Sequence, residues 1–155
     1  METIVLALST TRQSPRTIEY SLDLAQKESA KLIVLFIVDP GLPKLIFEKL
    51  IDMGFMGEKP SKQVVDAILK EYRERGKEQL EEIRKSTRSM NIECQTIITQ
   101  GEFVKECLKI IKKEKPKQVI LTRAKRTELS RFLFGSAVNE LKKKSPSPIK
   151  VIEEI

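Results

Sequence analysis

Lys31-Leu-Ile-Val-Leu-Phe-Ile-Val38 holds seven apolar residues in succession. A strand of this kind has no polar alternate to turn toward water, so it has to be covered on both faces. That is the pattern of a central strand in a parallel sheet. It stops at Asp39-Pro40-Gly41, a turn former. Upstream, Thr3-Ile-Val-Leu-Ala-Leu8 is a second compact apolar strand and ends in the polar cluster Ser9-Thr10-Thr11. Between the two, Ser14-Pro15 reads as an N-cap with proline at the first helical position, and Ile18, Leu22 and Ala25 recur at helical spacing. The result is a β-α-β unit with its polar loops at the strand ends, where α/β proteins place ligands.

Downstream, residues 42–60 break the rhythm, with Leu42, Leu45, Ile46, Leu50, Ile51, Met53, Phe55 and Met56 set among Pro and Gly. Residues 39–60 therefore read as an insertion between the second strand and the second main helix. They should carry a short amphipathic helix ending near Gly54, folded over the ligand-bearing end of the sheet or against a second subunit. Ser61 then caps a long helix with the stripe Val65, Ile68, Tyr72, Leu80 and Ile83, with Gly76 on the same face, ending around Ser86 to Met90. The alternation repeats: Ile92 to Thr99 as a strand, and Glu102 to Glu114 as a helix closed by Pro116.

Lys117 to Val138 then reads as a buried strand (Val119, Ile120, Leu121), a basic loop (Arg123, Lys125, Arg126, Arg131), and a helix opening on Gly135-Ser136-Ala137. Gly135 allows close backbone approach and Ser136 stands beside the free N–H groups of a helix start, an arrangement suited to an anion. A helix through Val138 and Leu141 ends on Lys142-Lys-Lys144, and Ile149-Lys-Val-Ile152 is the final strand. Its late position suggests a sheet edge that pairs with a copy of itself, which makes Ile149, Val151 and Ile152 the candidate dimer interface. The whole is one α/β domain over residues 1–155, a five-stranded parallel sheet.

Composition narrows the function. The 155 residues are 40% hydrophobic and 33% charged, enough for one domain with a core. The absence of histidine excludes every Ser-His triad and the commonest general base and zinc ligand. Cys94 and Cys107 lack metal-ligand or redox spacing. No phosphate-loop or dinucleotide-binding glycine motif occurs, and Ser136 has no base to activate it, so no catalytic residue is assigned and the chain is read as a non-enzyme. No apolar run is long enough to span a bilayer and no signal peptide opens the chain, so a cytoplasmic protein is expected. Fourteen Lys and Arg against five Glu between Glu102 and Lys150 concentrate the positive charge in one third of the chain. Without aromatic residues among those lysines, specific nucleic-acid binding is not expected.

The chain resembles the universal stress protein family over nearly its whole length. The β-α-β opening, Val38-Asp39-Pro40, the Gly101-Glu102 helix start, the spacing from Thr122 to Gly135-Ser136, and Ser145-Pro-Ser-Pro-Ile-Lys-Val-Ile152 carry the resemblance. It implies helices on both faces of a sheet in the order 3-2-1-4-5, with a crevice where the chain reverses between the first and fourth strands. It also implies ATP or another adenine nucleotide as the candidate cofactor, and a site drawn from Ser9, Thr10, Val38, Asp39, Thr122, Arg123, Lys125, Arg126, Gly135, Ser136 and Ala137. Similar proteins that bind ATP have an acidic residue where Ser9 stands, and glycines where Thr122 and Lys125 stand. Side chains at glycine positions block close backbone approach to phosphate. The resemblance with these departures implies a dimeric, non-enzymatic stress-response or regulatory binding protein that takes ATP weakly or not at all. The alternative is a nucleotide-responsive switch in which Arg123, Lys125 and Arg126 replace the glycine loop.

Overall fold

The structure, a computed structural model, describes residues 1–123 and 137–153. Its strands are β1 (Thr3–Ser9), β2 (Lys31–Val38), β3 (Cys94–Gln100), β4 (Gln118–Arg123) and β5 (Ile149–Glu153). Its helices are α1 (Pro15–Lys27), α2 (Leu42–Asp52), α3 (Lys62–Ser89), α4 (Phe103–Glu114) and α5 (Ala137–Lys144). All strand pairings are parallel, as the strand-helix alternation predicts, and the order is β3-β2-β1-β4-β5, as the family resemblance implies.

The period of two along each strand divides the core into two layers. Ile4, Leu6, Leu8, Val34 and Phe36 face α1 and α3, whereas Val5, Ala7, Ile33, Leu35 and Leu121 face α4 and α5. Leu32 through Val38 are at most 1% exposed, so β2 is covered on both sides. Full burial of each such side chain stabilises by roughly 1.5–3 kcal/mol. Gly76 lets α3 lie close on this strand: a Cβ there would come within 2.6 Å of the Phe36 ring.

Local chemistry sets the element ends. Ser14 Oγ accepts the Thr17 N–H at 3.1 Å and Ser61 Oγ accepts the Val64 N–H at 3.3 Å, satisfying first-turn donors of α1 and α3. The segment after β2 forms α2, which closes with Gly54 at φ 82°, Gly54 N–H on the Ile51 carbonyl and Phe55 N–H on the Leu50 carbonyl. This is a Schellman stop. At the end of α3 the Ile92 N–H reaches back to the Thr87 carbonyl at 2.9 Å. That bond takes Ile92 out of the sheet, so β3 starts at Cys94, two residues later than its apolar pattern indicates. Lys115, left-handed at φ 48°, and Pro116 end α4.

Candidate functional site

β1 ends in a tight turn. The Ser9 N–H donates to the Arg12 carbonyl and the Arg12 N–H to the Ser9 carbonyl, both at 3.2 Å. Ser9 is buried, and the turn folds the Arg12 side chain inward, where only 5% of the residue is exposed. Its guanidinium carbon lies 4.8 Å from the centre of the Phe103 ring, at the first residue of α4. A cation over a ring face is held by the ring quadrupole, more firmly when desolvated. Burial pulls the Arg12 pKa down to about 10, while the charge of Asp39 acts in the opposite direction. The side chain is therefore cationic at neutral pH. The Cys107 thiol beside it is itself buried, which pushes its pKa up and keeps it protonated.

Asp39 stands at the end of β2. Its Oδ1 accepts the Gly41 N–H at 2.8 Å and its carbonyl accepts the Leu42 N–H at 3.1 Å, so the carboxylate caps the strand end and starts α2. A Cβ on Gly41 would sit 3.3 Å from that oxygen. Val38 is fully buried, and its carbonyl accepts the Gly101 N–H at 3.0 Å, tying together the ends of β2 and β3. Next to Gly101, Glu106 accepts from Thr99 Oγ1 at 2.7 Å and Lys109 Nζ at 2.9 Å, which holds its carboxyl below the usual range.

The turn after β1, the Asp39–Gly41 corner and Phe103 border a cleft of about 440 Å³; Val38, expected in the site, is not among its walls. Ser9, Thr10, Thr11 and Arg12 form one side and Ile37 and Asp39 another. The first two turns of α2 lie across it with Leu42, Lys44, Leu45 and Glu48, and Phe103 lines it as well. The volume falls within the range of small-molecule sites, and the mixture of apolar wall and a few convergent polar groups suits one.

The other site residues expected from sequence are placed differently. Thr122 is fully buried, and its hydroxyl donates to Thr17 Oγ1 at 2.8 Å. Thr17 Oγ1 in turn lies 2.8 Å from Ser14 Oγ, so this hydroxyl chain joins β4 to the start of α1. Arg123 pairs with Glu153 of β5 at 3.2 Å. Neither Thr122 nor Arg123 is among the cleft walls; the cleft opens on the β2 side of the point where strand order reverses. Ala137 begins α5 and packs on the core layer of α4. Lys125, Arg126, Gly135 and Ser136 lie outside the described residues. Arg12, Phe103 and the α2 residues Lys44 and Glu48 were not foreseen. The one local signal for Arg12 was its place between the polar cluster after β1 and the Ser14 cap.

Among the described residues no three His, Cys, Asp or Glu side chains are grouped to hold a metal ion, and no helix is long and apolar enough to cross a membrane. The parallel sheet, its strand order and a cleft at the carboxyl ends of the strands define an open, doubly wound α/β architecture. The model of the universal stress protein family matches residues 1–153, and the chain belongs to that family. Solved structures share the fold at low identity. The universal stress protein UspA of Lactobacillus plantarum superposes with a TM-score of 0.68 at 14% identity, over 97% of each chain. A family member from Arabidopsis thaliana with AMP bound gives 0.62 at 14% identity, over 100% of this chain and 93% of that one. A universal stress protein in complex with cAMP gives 0.59 at 13% identity, over 98% and 97%. No protein with a curated description matches.

Proposed function

We propose that this protein is a non-enzymatic, homodimeric, cytoplasmic regulator of the stress response, and that its crevice takes an adenine nucleotide weakly or not at all. Residues 1–155 act as one domain, with 39–60 an insertion that covers the cleft. The observation that carries the reading is that, among the described residues, four of the polar groups at the strand ends are already engaged within the chain. The Ser9 and Arg12 N–H groups bond across their own turn, the Gly41 N–H is held by Asp39, and the Thr122 hydroxyl is held by Thr17. Among the described residues, these particular groups are not free to meet a phosphate. Three lost hydrogen bonds at roughly 1–1.5 kcal/mol each move a micromolar site toward millimolar.

AMP and cAMP in two structures of the same fold support an adenine nucleotide as the ligand class. The apolar walls and the cationic Arg12 favour a second reading, in which the loop bearing Arg123, Lys125 and Arg126 completes a nucleotide-responsive switch. Calorimetric titration of the purified protein with Mg-ATP and AMP, with mass spectrometry of small molecules released on heating, separates the two. The expected result is no released nucleotide and a dissociation constant weaker than about 100 μM. Stoichiometric nucleotide or a micromolar constant would establish the switch. The homodimer is supported by β5, which occupies the sheet edge with Ile149 and Val151 only half-buried; Ile152, expected beside them, is instead buried in the chain's own core. A monomer by sedimentation at micromolar concentration would remove that part.

A further inference from the structure

A second concavity lies away from the strand ends, between α1 and α3. It encloses about 580 Å³, with Pro15, Ile18 and Leu22 from α1 opposite Ile83 and Met90 from α3 and its C-cap. Ile18 and Met90 are half-buried and Pro15 is exposed, so the apolar floor reaches the surface. Three carboxylates, Glu19, Asp23 and Glu82, line it, and among the described residues no Lys or Arg does. That is a local reversal on a chain of formal net charge +7. On the α3 wall, Gln79 Oε1 is buried without a hydrogen-bond partner. A buried acceptor left in this state is costly, so this wall of the groove is not optimised for the free chain.

We propose that this groove docks a cationic amphipathic helix of a partner protein. A groove between two packed helices accepts the ridge of a third, and its apolar floor matches the i, i+3, i+4 stripe of such a segment. Ile18, Leu22 and Ile83 receive that stripe, while the unbranched Met90 adapts to its shape. Glu19, Asp23 and Glu82 face the partner's Lys or Arg, which fixes orientation and excludes acidic helices. The partner class supplies an output for the proposed regulatory role, yet depends on no property of the crevice.

The probe is a fluorescent 18-residue Leu/Lys peptide with its leucines on one helical face, titrated into the full chain and followed by anisotropy. The comparison peptides are the same sequence with Glu for Lys, and a scrambled Leu/Lys peptide of equal composition. The amphipathic Lys peptide is expected to bind at least tenfold tighter than either. Asp23→Lys/Glu82→Lys, both exposed positions, should weaken it at least tenfold while leaving the melting curve and the Mg-ATP titration unchanged. Equal binding of the scrambled peptide, or unchanged affinity in the double variant, would overturn the proposal. So would self-association of the unmodified protein that disappears in the double variant, since that assigns the groove to a second copy.

Discussion

The cleft at the strand ends and the groove between α1 and α3 are of similar size, about 440 and 580 Å³, and of opposite chemistry. In the cleft a cation is buried, and the Ser9–Arg12 turn and the Asp39–Gly41 corner beside it are closed by their own hydrogen bonds. In the groove the charges are acidic and exposed, and a buried amide oxygen has no donor. Among the described residues the backbone turns of the strand-end cleft are closed, whereas the less conspicuous helix face keeps a buried acceptor without a donor. A ligand site is marked less by its position in a fold than by the polar groups that still need a partner.

That contrast can be broken in four ways. The largest effect is expected from Gly76→Val, which drives a side chain into the Phe36 ring and lifts the α3 wall of the groove; overpacking should cost about 3 kcal/mol in urea unfolding. A stability near that of the parent would mean that α3 has room to move and that the groove has no fixed shape. Thr17→Val leaves the buried Thr122 hydroxyl without its acceptor, and a loss of about 2 kcal/mol should follow, with Thr17→Ser close to the parent. Equal stability of both variants would show that the hydroxyl chain does not hold the crevice corner closed.

Restoring the two glycines, Thr122→Gly with Lys125→Gly, should tighten Mg-ATP at least tenfold, a gain of about 1.4 kcal/mol, alongside a lowered melting temperature. Calorimetry with no change in affinity would remove the glycine positions as the cause of weak binding. Gln79→Met replaces the unpartnered amide by an apolar chain of similar length, and the unfolding free energy should rise by about 1 kcal/mol. Destabilisation instead would mean that the oxygen has a partner, and the difference between the two regions would collapse.

The architecture was legible because unbroken apolar runs allow few alternatives. Leu32 to Val38 could only be a central strand, and Ser14-Pro15 and Ser61 announce their helices through backbone donors that need an acceptor. β3 was harder: Gln95, Thr96 and Thr99 belong to an edge strand of half-buried residues, and its start depends on a bond from Ile92 back to α3. The site was less legible still. Arg12 is one of 29 Lys and Arg, and its place between the polar cluster after β1 and the Ser14 cap does not by itself show that it is buried; its burial comes from the Ser9–Arg12 turn and from Phe103, which arrives some ninety residues later. Thr122 was read as facing a ligand, but the partner that turns it toward α1 is 105 positions away. The groove has the same origin, since neither the acidic positions of α1 nor Gln79 of α3 signals anything alone.

Cys107 gives the crevice an internal clock. Its thiol sits in the core layer beneath Arg12, protonated and out of reach of water-borne reagents while the turn after β1 is closed. Its alkylation rate therefore counts how often that corner opens. The half-exposed Cys94, at the opposite end of the sheet, supplies the reference rate in the same molecule. A compound that settles over Arg12 would slow the first reaction and spare the second, reporting occupancy through time rather than heat.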